Sequence, residues 1–153
     1  MRRLLMVVVI GIMTLCNMAS SQPRALEFVI ADVNGQYHMI SLSAFKKRML
    51  LIYFMPDCDD CRAFTKKLIK NGRLFDNFQV TMVTNSDLGS LKKFVTDFRL
   101  DDKKGLIIGT EGWTATLQRS LKIERFPFVA IYKTKGILIR KFSDPNSLFS
   151  QTL

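Results

Sequence analysis

An unbroken apolar run, Met49 to Met55 in the segment MLLIYFM, constrains the fold of this chain more than any other feature. It shows neither the 3.6-residue period of an amphipathic helix nor the alternation of a half-exposed strand. Strands of this kind are covered on both faces, as at the centre of a parallel sheet. The run therefore predicts a buried central strand.

Two cysteines follow this strand directly, in the segment PDCDDC. From Cys58 onwards, apolar residues at Cys61, Phe64 and Leu68 share one face of a helix, and Asn71-Gly72 supplies its stop. At a helix start the unsatisfied N–H groups and the positive dipole end favour thiolate on the first sulfur. The second sulfur lies one turn further in and can attack back. We therefore take Cys58 as the candidate nucleophile and Cys61 as the resolving thiol.

The other segments alternate between strand and helix patterns. Asn34-Gly35 between two short extended runs is the strongest short signal for a β-hairpin. The order predicts an α/β fold for one domain spanning residues 22–153, with a central mixed sheet flanked by helices and an N-terminal hairpin. The further predicted elements are a brief helix through Lys46 and Lys47, a strand at Phe78–Thr84, a helix from Leu88 to Phe98, a strand at Gly105–Thr110, a short helix at Trp113–Leu121, two strands within Phe126–Phe142 and a helical stub begun by Asp144-Pro145.

Residues 1–21 have the layout of a secretory signal peptide. Arg2 and Arg3 precede an apolar run from Leu4 to Cys16, and small polar residues follow. A cut after Ser21, with Ala19 and Ser21 at the two small-residue positions, leaves a mature chain that starts near Gln22. The segment predicts a secreted or periplasmic protein.

A rival interpretation makes Cys16 a lipid-modified N-terminus, although Leu15 is bulky where a lipoprotein signal normally has a small residue. Membrane contact is then expected through the signal or the lipid anchor. In either case the exported domain contains only Cys58 and Cys61, which an oxidising compartment allows to form a disulfide.

The formal net charge of +10 is spread along the chain and does not form an aromatic-interleaved patch. Together with export, this argues against a nucleic-acid partner and favours a solvated face near anionic lipid or acidic partners. A metal site is also disfavoured, because the exported domain has only two cysteines and one histidine, His38. We interpret His38 as an ordinary strand residue and Trp113 as a packing residue.

At this point a resemblance is visible. The strand LLIYFM, the motif CDDC that opens a helix, and IERFPFVAIYKTKG about sixty residues later resemble the thioredoxin superfamily. The leading hairpin segment resembles more narrowly the exported TlpA/ResA-type and AhpC/TSA-like members. Peroxiredoxins share this fold but place a threonine three residues before the reactive cysteine, where this chain has Met55.

The resemblance implies a thiol–disulfide oxidoreductase that needs no organic cofactor. Its partners would be protein thiols and disulfides and an upstream electron donor. By the same resemblance Pro127 is cis, faces the two sulfurs and blocks metal from them. The backbone of Phe126 would pair with an extended substrate segment, while Phe126 and Phe128 add apolar contact. A specialised electron donor, for example in cytochrome c maturation, is a further possibility that the resemblance suggests.

Two departures from thioredoxin affect the expected chemistry. The buried aspartate that accepts the proton of the resolving thiol there corresponds to Ile52 here. Asp57, Asp59 and Asp60 surround the nucleophile, and negative neighbours disfavour a thiolate.

A reduced form that is stabilised less makes a weaker oxidant, so the sequence favours a reductant or disulfide exchanger, with Arg62 able to offset part of the acidity. The open alternative is a non-catalytic binding or structural module, in which the disulfide only pins a helix to its strand.

Overall fold

The computed structural model describes residues 26–150. Within this range a seven-stranded mixed sheet has the order β2-β1-β5-β4-β3-β6-β7. The α/β class, the mixed sheet and the leading hairpin are thus confirmed. The strands are β1 (Glu27–Ala31), β2 (Tyr37–Ser41), β3 (Arg48–Tyr53), β4 (Phe78–Thr84), β5 (Leu106–Thr110), β6 (Phe128–Tyr132) and β7 (Leu138–Lys141).

Residues 26–150 also form four α-helices and four 3₁₀ turns. The helices are α1 (Asp59–Lys70), α2 (Arg73–Asn77), α3 (Leu88–Phe98) and α4 (Thr116–Ser120). The 3₁₀ turns are Leu42–Ala44, Gly112–Thr114, Thr134–Gly136 and Pro145–Ser150.

The apolar run forms β3, the central strand that the sequence predicts. Residues Leu50 to Tyr53 have no exposed surface. On one side β3 pairs in parallel with β4, and on the other side it pairs antiparallel with β6. Because both edges and both faces are covered, an uninterrupted apolar sequence is the composition that such a strand requires.

The two faces of the sheet carry separate core layers. Ile52 and Phe54 face the layer that α1 and α3 cover, together with Cys61, Phe64 and Phe94. Tyr53 and its alternating neighbours face the other layer, which the hairpin and α4 cover; its members include Phe28, Ile40, Leu51, Leu117 and Phe128. The period of two along β3 therefore divides its side chains between both layers.

The hairpin turns at the predicted position. Gly35 has φ of +80°, a left-handed conformation that glycine adopts without steric cost. Asp32 accepts hydrogen bonds from the backbone N–H groups of Asn34 and Gln36, and its other oxygen contacts His38 Nε2 at 2.8 Å. The contact with His38 holds the pKa of Asp32 below its usual value. His38 is thus an exposed strand residue that supports the turn.

The short helices differ from the predictions. The brief helix after the hairpin ends at Ala44 and does not reach Lys46. The helix predicted at 113–121 is divided by Ala115, whose φ of 42° is left-handed. After the stop at Asn71-Gly72 the chain forms α2, which the sequence analysis missed; it buries Leu74 and Phe75. In each case packing overrides the weak preference of a very short segment.

The predicted signal peptide and the alternative lipid site at Cys16 lie outside the described residues. Among residues 26–150, none of the helices combines the length and the apolar content needed to cross a membrane.

Candidate functional site

Cys58 lies at the N-terminal cap of α1, where the sequence places it. Its backbone is extended, and its sulfur accepts a hydrogen bond from the backbone N–H of Cys61 at 3.2 Å. A cap sulfur thus takes the place of the oxygen that normally satisfies a free N–H group at this position. The side chain is partly exposed, so the sulfur lies at the surface end of the helix.

Cys61 is the buried member of the pair, with no exposed surface. Burial, and after it the hydrogen bond with the Cys58 side chain, raises the pKa of the Cys61 thiol well above its usual range. The charge of Asp60 adds a smaller contribution in the same direction. The arrangement therefore combines one accessible sulfur with one that retains its proton.

The loop before β6 completes the site. The Phe126–Pro127 peptide bond is cis, as the resemblance implies. The carbonyl oxygen of Phe126 lies 4.0 Å from the sulfur of Cys58, in a position to accept its S–H. The fold thus brings together Cys58, Cys61, Phe126 and Pro127 from two distant segments of the chain.

Tyr53 and Glu111 support this loop from beneath, and sequence reasoning missed both residues. The ring of Tyr53 stacks on Phe126 with 6.0 Å between centroids. Its hydroxyl donates to Glu111 Oε1 at 2.5 Å, and the same carboxylate accepts the backbone N–H groups of Leu117 and Gln118 at the start of α4. Burial and the bond to Glu111 raise the pKa of Tyr53, so the hydroxyl stays a donor. The only sequence signal was a tyrosine within an otherwise aliphatic strand.

Arg62 is engaged on the side of α1 that faces α3. Its guanidinium pairs with Asp97 at 2.9 Å, lies over the ring of Phe98 at 4.9 Å, and donates to the Pro56 carbonyl oxygen at 3.4 Å. The pairing lowers the pKa of Asp97. Because Asp97 neutralises much of this charge, Arg62 is a poor counter-ion for acidic groups beside the cysteines.

The remaining predicted site residues divide between surface and core. Asp57, Asp59 and Asp60 are exposed around the start of α1, where acid is favourable to the helix dipole. Phe128 is only 7% exposed and belongs to the core. Its ring therefore offers a substrate almost no surface, and the structure does not support the apolar contact predicted for it.

Two other expectations concern single residues. Trp113 is 93% exposed, so its assignment as a packing residue was wrong; it lies in the 3₁₀ turn Gly112–Thr114, which buries none of its residues. Ile52 is fully buried, and a carboxylate at that position would lie in the apolar layer beside Cys61. Within residues 26–150, no group of three or more His, Cys, Asp or Glu side chains could hold a metal ion.

Comparison with known proteins identifies the architecture. No protein-family model and no curated protein matches the chain. Among solved structures, the thioredoxin domain of a thiol-disulfide oxidoreductase from Bacteroides vulgatus superposes with a TM-score of 0.66 at 20% identity, covering 84% of this chain and 91% of that one. The fold is thioredoxin-like.

Two further structures share this fold. A thiol-disulfide oxidoreductase from Bacteroides fragilis has a TM-score of 0.65 at 15% identity and covers 84% of this chain and 96% of its own. The pneumococcal exposed lipoprotein thioredoxin from Streptococcus pneumoniae has a TM-score of 0.56 at 20% identity, with 82% and 96% covered. At these identities the likeness establishes the fold alone.

The two thiols should differ sharply in reactivity. Because Cys61 is buried and its pKa is raised, we expect iodoacetamide to modify Cys58 alone between about pH 6 and pH 9. Mass spectrometry of the reduced chain, with Cys16 replaced by serine, measures the ratio of the two adducts at each pH. Comparable labelling of Cys61 in the folded protein would contradict the assignment.

Removing the Tyr53 hydroxyl should weaken the support of the cis-proline loop. Tyr53→Phe keeps the stack on Phe126 but leaves Glu111 without its buried donor, so we expect a loss of about 1–3 kcal/mol in the free energy of unfolding. Urea titration measures it. Tyr132→Phe is the matched control, because Tyr132 lies in the same core layer at the end of β6 that is far from Tyr53. An equal loss of unfolding free energy in this variant would show that the bond to Glu111 adds no stability of its own.

Proposed function

We propose that this chain is an exported thiol–disulfide oxidoreductase that reduces or exchanges disulfides in other proteins. The observation that carries the proposal is the unequal pair at the start of α1, with an accessible Cys58 sulfur beneath the Phe126 carbonyl and a buried Cys61. A purely structural disulfide requires neither the accessible sulfur nor the cis-proline loop against it.

The reaction follows from this inequality. Cys58, as thiolate, attacks one sulfur of a substrate disulfide; a mixed disulfide forms, and the other substrate sulfur leaves and takes a proton from water. Cys61 then loses its proton and attacks the Cys58 sulfur, which releases the second substrate thiol. Two electrons pass to the substrate, and the pair is left as a disulfide.

The raised pKa of Cys61 has a role in this sequence. A protonated Cys61 does not attack the disulfide between Cys58 and the substrate, so the mixed disulfide persists until the buried thiol is deprotonated. Ile52 occupies the position of the aspartate that accepts this proton in thioredoxin, so a different group takes the proton of Cys61 here.

Substrate would approach over the loop before β6. Phe126 is partly exposed, and its carbonyl oxygen lies beside the sulfur of Cys58. An extended substrate segment can therefore pair with the Phe126 backbone while the substrate disulfide reaches the Cys58 thiol. Pro127 shapes the groove in which this substrate segment would lie. An upstream dithiol donor then restores the reduced pair by the reverse exchange.

Export and the narrower relationship belong to the same proposal. The signal-like segment at residues 1–21 and the exposed lipoprotein thioredoxin among the structural neighbours support a location outside the cytoplasm. The N-terminal hairpin supports a TlpA/ResA-like subtype.

The proposal is tested by catalysis. The chain should accelerate the dithiothreitol-driven reduction of insulin, and Cys58→Ser should abolish the acceleration. Cys61→Ser should instead accumulate a mixed disulfide with insulin, visible by mass spectrometry. Ser43→Ala, on an exposed turn, is the control. A wild-type chain with no effect on insulin would favour a non-catalytic module with a structural disulfide.

The three aspartates predict the direction of electron flow. Because three exposed carboxylates lie around the start of α1 and Arg62 is neutralised by Asp97, we expect a reduction potential nearer to the reducing end of this fold's range, below about −200 mV. Asp59→Asn with Asp60→Asn should make the pair more oxidising. Equilibration with glutathione or dithiothreitol buffers measures both potentials. A wild-type value near the strongly oxidising end, about −120 mV, would overturn the assignment as a reductant.

A further inference from the structure

The turn between β6 and β7 exposes three consecutive large apolar side chains. Ile137, Leu138 and Ile139 are 50%, 52% and 42% exposed. They lie at the start of β7, the edge strand of the sheet. Because successive side chains of a strand point to opposite faces, this edge is apolar on both faces, unlike the single scattered apolar residues of an ordinary surface.

Cations flank this apolar group on both sides. Lys133 and Lys135 precede it in the turn, Arg140 and Lys141 follow it in the strand, and all four are exposed. The whole stretch from Arg125 to Ser143 contains no aspartate or glutamate. The surface therefore combines apolar side chains with a single sign of charge.

This surface lies at the end of the sheet opposite the cysteines. In the antiparallel pairing of β3 with β6, Met49 lies opposite Tyr132, so Arg48 and Lys133 are at the same end. Tyr53, after which the cysteine loop begins, lies at the other end of β3. The six residues of β3 separate the two ends by about 20 Å.

The N-terminal segment enters the described structure beside the same turn. The carbonyl oxygen of Leu26 accepts a hydrogen bond from the N–H of Leu42 at 3.2 Å. Leu42 opens the 3₁₀ turn that packs against the turn Thr134–Gly136. Leu26, the first described residue, therefore lies next to the exposed hairpin.

A second copy of this chain is a poor occupant of the surface. β7 has only four residues, and its pairing with β6 shifts register between Ile131 and Tyr132. A short edge strand with an irregular ladder and basic side chains resists the pairing of one sheet with another. Like charges on two copies would also repel each other.

We propose that the basic–apolar hairpin, defined as Lys133, Lys135, Ile137, Leu138 and Ile139, docks on the surface of an anionic lipid bilayer. The three apolar side chains enter the headgroup boundary, and the lysines bind acidic headgroups. Bound in this way, the domain holds Cys58 at its far end, directed away from the lipid and open to protein partners.

The test uses the full chain, with hydrogen–deuterium exchange read by mass spectrometry on the peptide covering residues 133–141. Vesicles of phosphatidylcholine with phosphatidylglycerol are compared with vesicles of phosphatidylcholine alone. We expect the anionic vesicles to slow exchange in this peptide at least about fivefold, the factor expected for one lysine at such a surface. Salt of about 1 M should remove most of the effect.

Two charge variants separate the hairpin from the N-terminal segment. Lys133→Glu with Lys135→Glu should lose the protection although the N-terminal segment is unchanged. Lys66→Glu with Lys92→Glu, an equal change of charge at exposed positions on α1 and α3, should retain it.

Three results would overturn the proposal. One is an absence of protection of the 133–141 peptide with anionic vesicles. Another is protection as strong as with anionic vesicles when the vesicles are neutral, or when Lys133 and Lys135 are both replaced by glutamate. The third is protection without lipid that grows with protein concentration, which would assign the surface to a second copy. Insulin reduction is measured separately, so loss of docking and loss of redox activity are distinguishable.

Discussion

The antiparallel pairing of β3 with β6 is the constraint on which the rest of the structure depends. Tyr53, at the end of β3, lies opposite Phe128, at the start of β6, so the loop after one strand meets the loop before the other. This pairing brings the Cys58 sulfur to the Phe126 carbonyl across 68 residues of sequence. A slip of one residue would move Tyr53 to the other face, away from Glu111, and would disassemble both core layers.

The difference between the two thiols is a consequence of the helix that this strand leads into. Cys58 caps the helix and stays at the surface, whereas Cys61 is turned into the layer with Phe64 and Leu68. Because the two cysteines are one helical turn apart, one of them is an accessible nucleophile and the other is a buried thiol that keeps its proton. The Tyr53 and Glu111 pair, on the opposite face of the sheet, fixes the loop that covers the nucleophile.

The charge of the molecule is distributed along the same strands. Three aspartates surround the start of α1 at the cysteine end, and Arg48, Lys133 and Lys135 lie at the other end. A net charge of +10 conceals this polarity, because composition counts charges without placing them. The separation gives the domain a reactive end and an end suited to an acidic surface.

The sequence predicted the elements whose signals are local and strong. The buried strand was predicted from its unbroken apolar run, the cysteine helix from its apolar face and the Asn71-Gly72 stop, and the cis-proline from the resemblance; the strand at 78–84 was also predicted. The very short helices were not predictable, because a segment of five residues has too little propensity to resist its packing environment. Pairs such as Arg62 with Asp97 depend on two helices meeting, which no local pattern encodes.

By itself, then, the sequence determined which segments form strands and helices, and that two cysteines open a helix after a buried strand. Only the tertiary structure decided that Phe128 belongs to the core, that Trp113 does not, and that Tyr53 and Glu111 support the site. The physical reason is that local structure follows from the order of neighbouring residues, while burial and long-range hydrogen bonds exist only after the strands have paired.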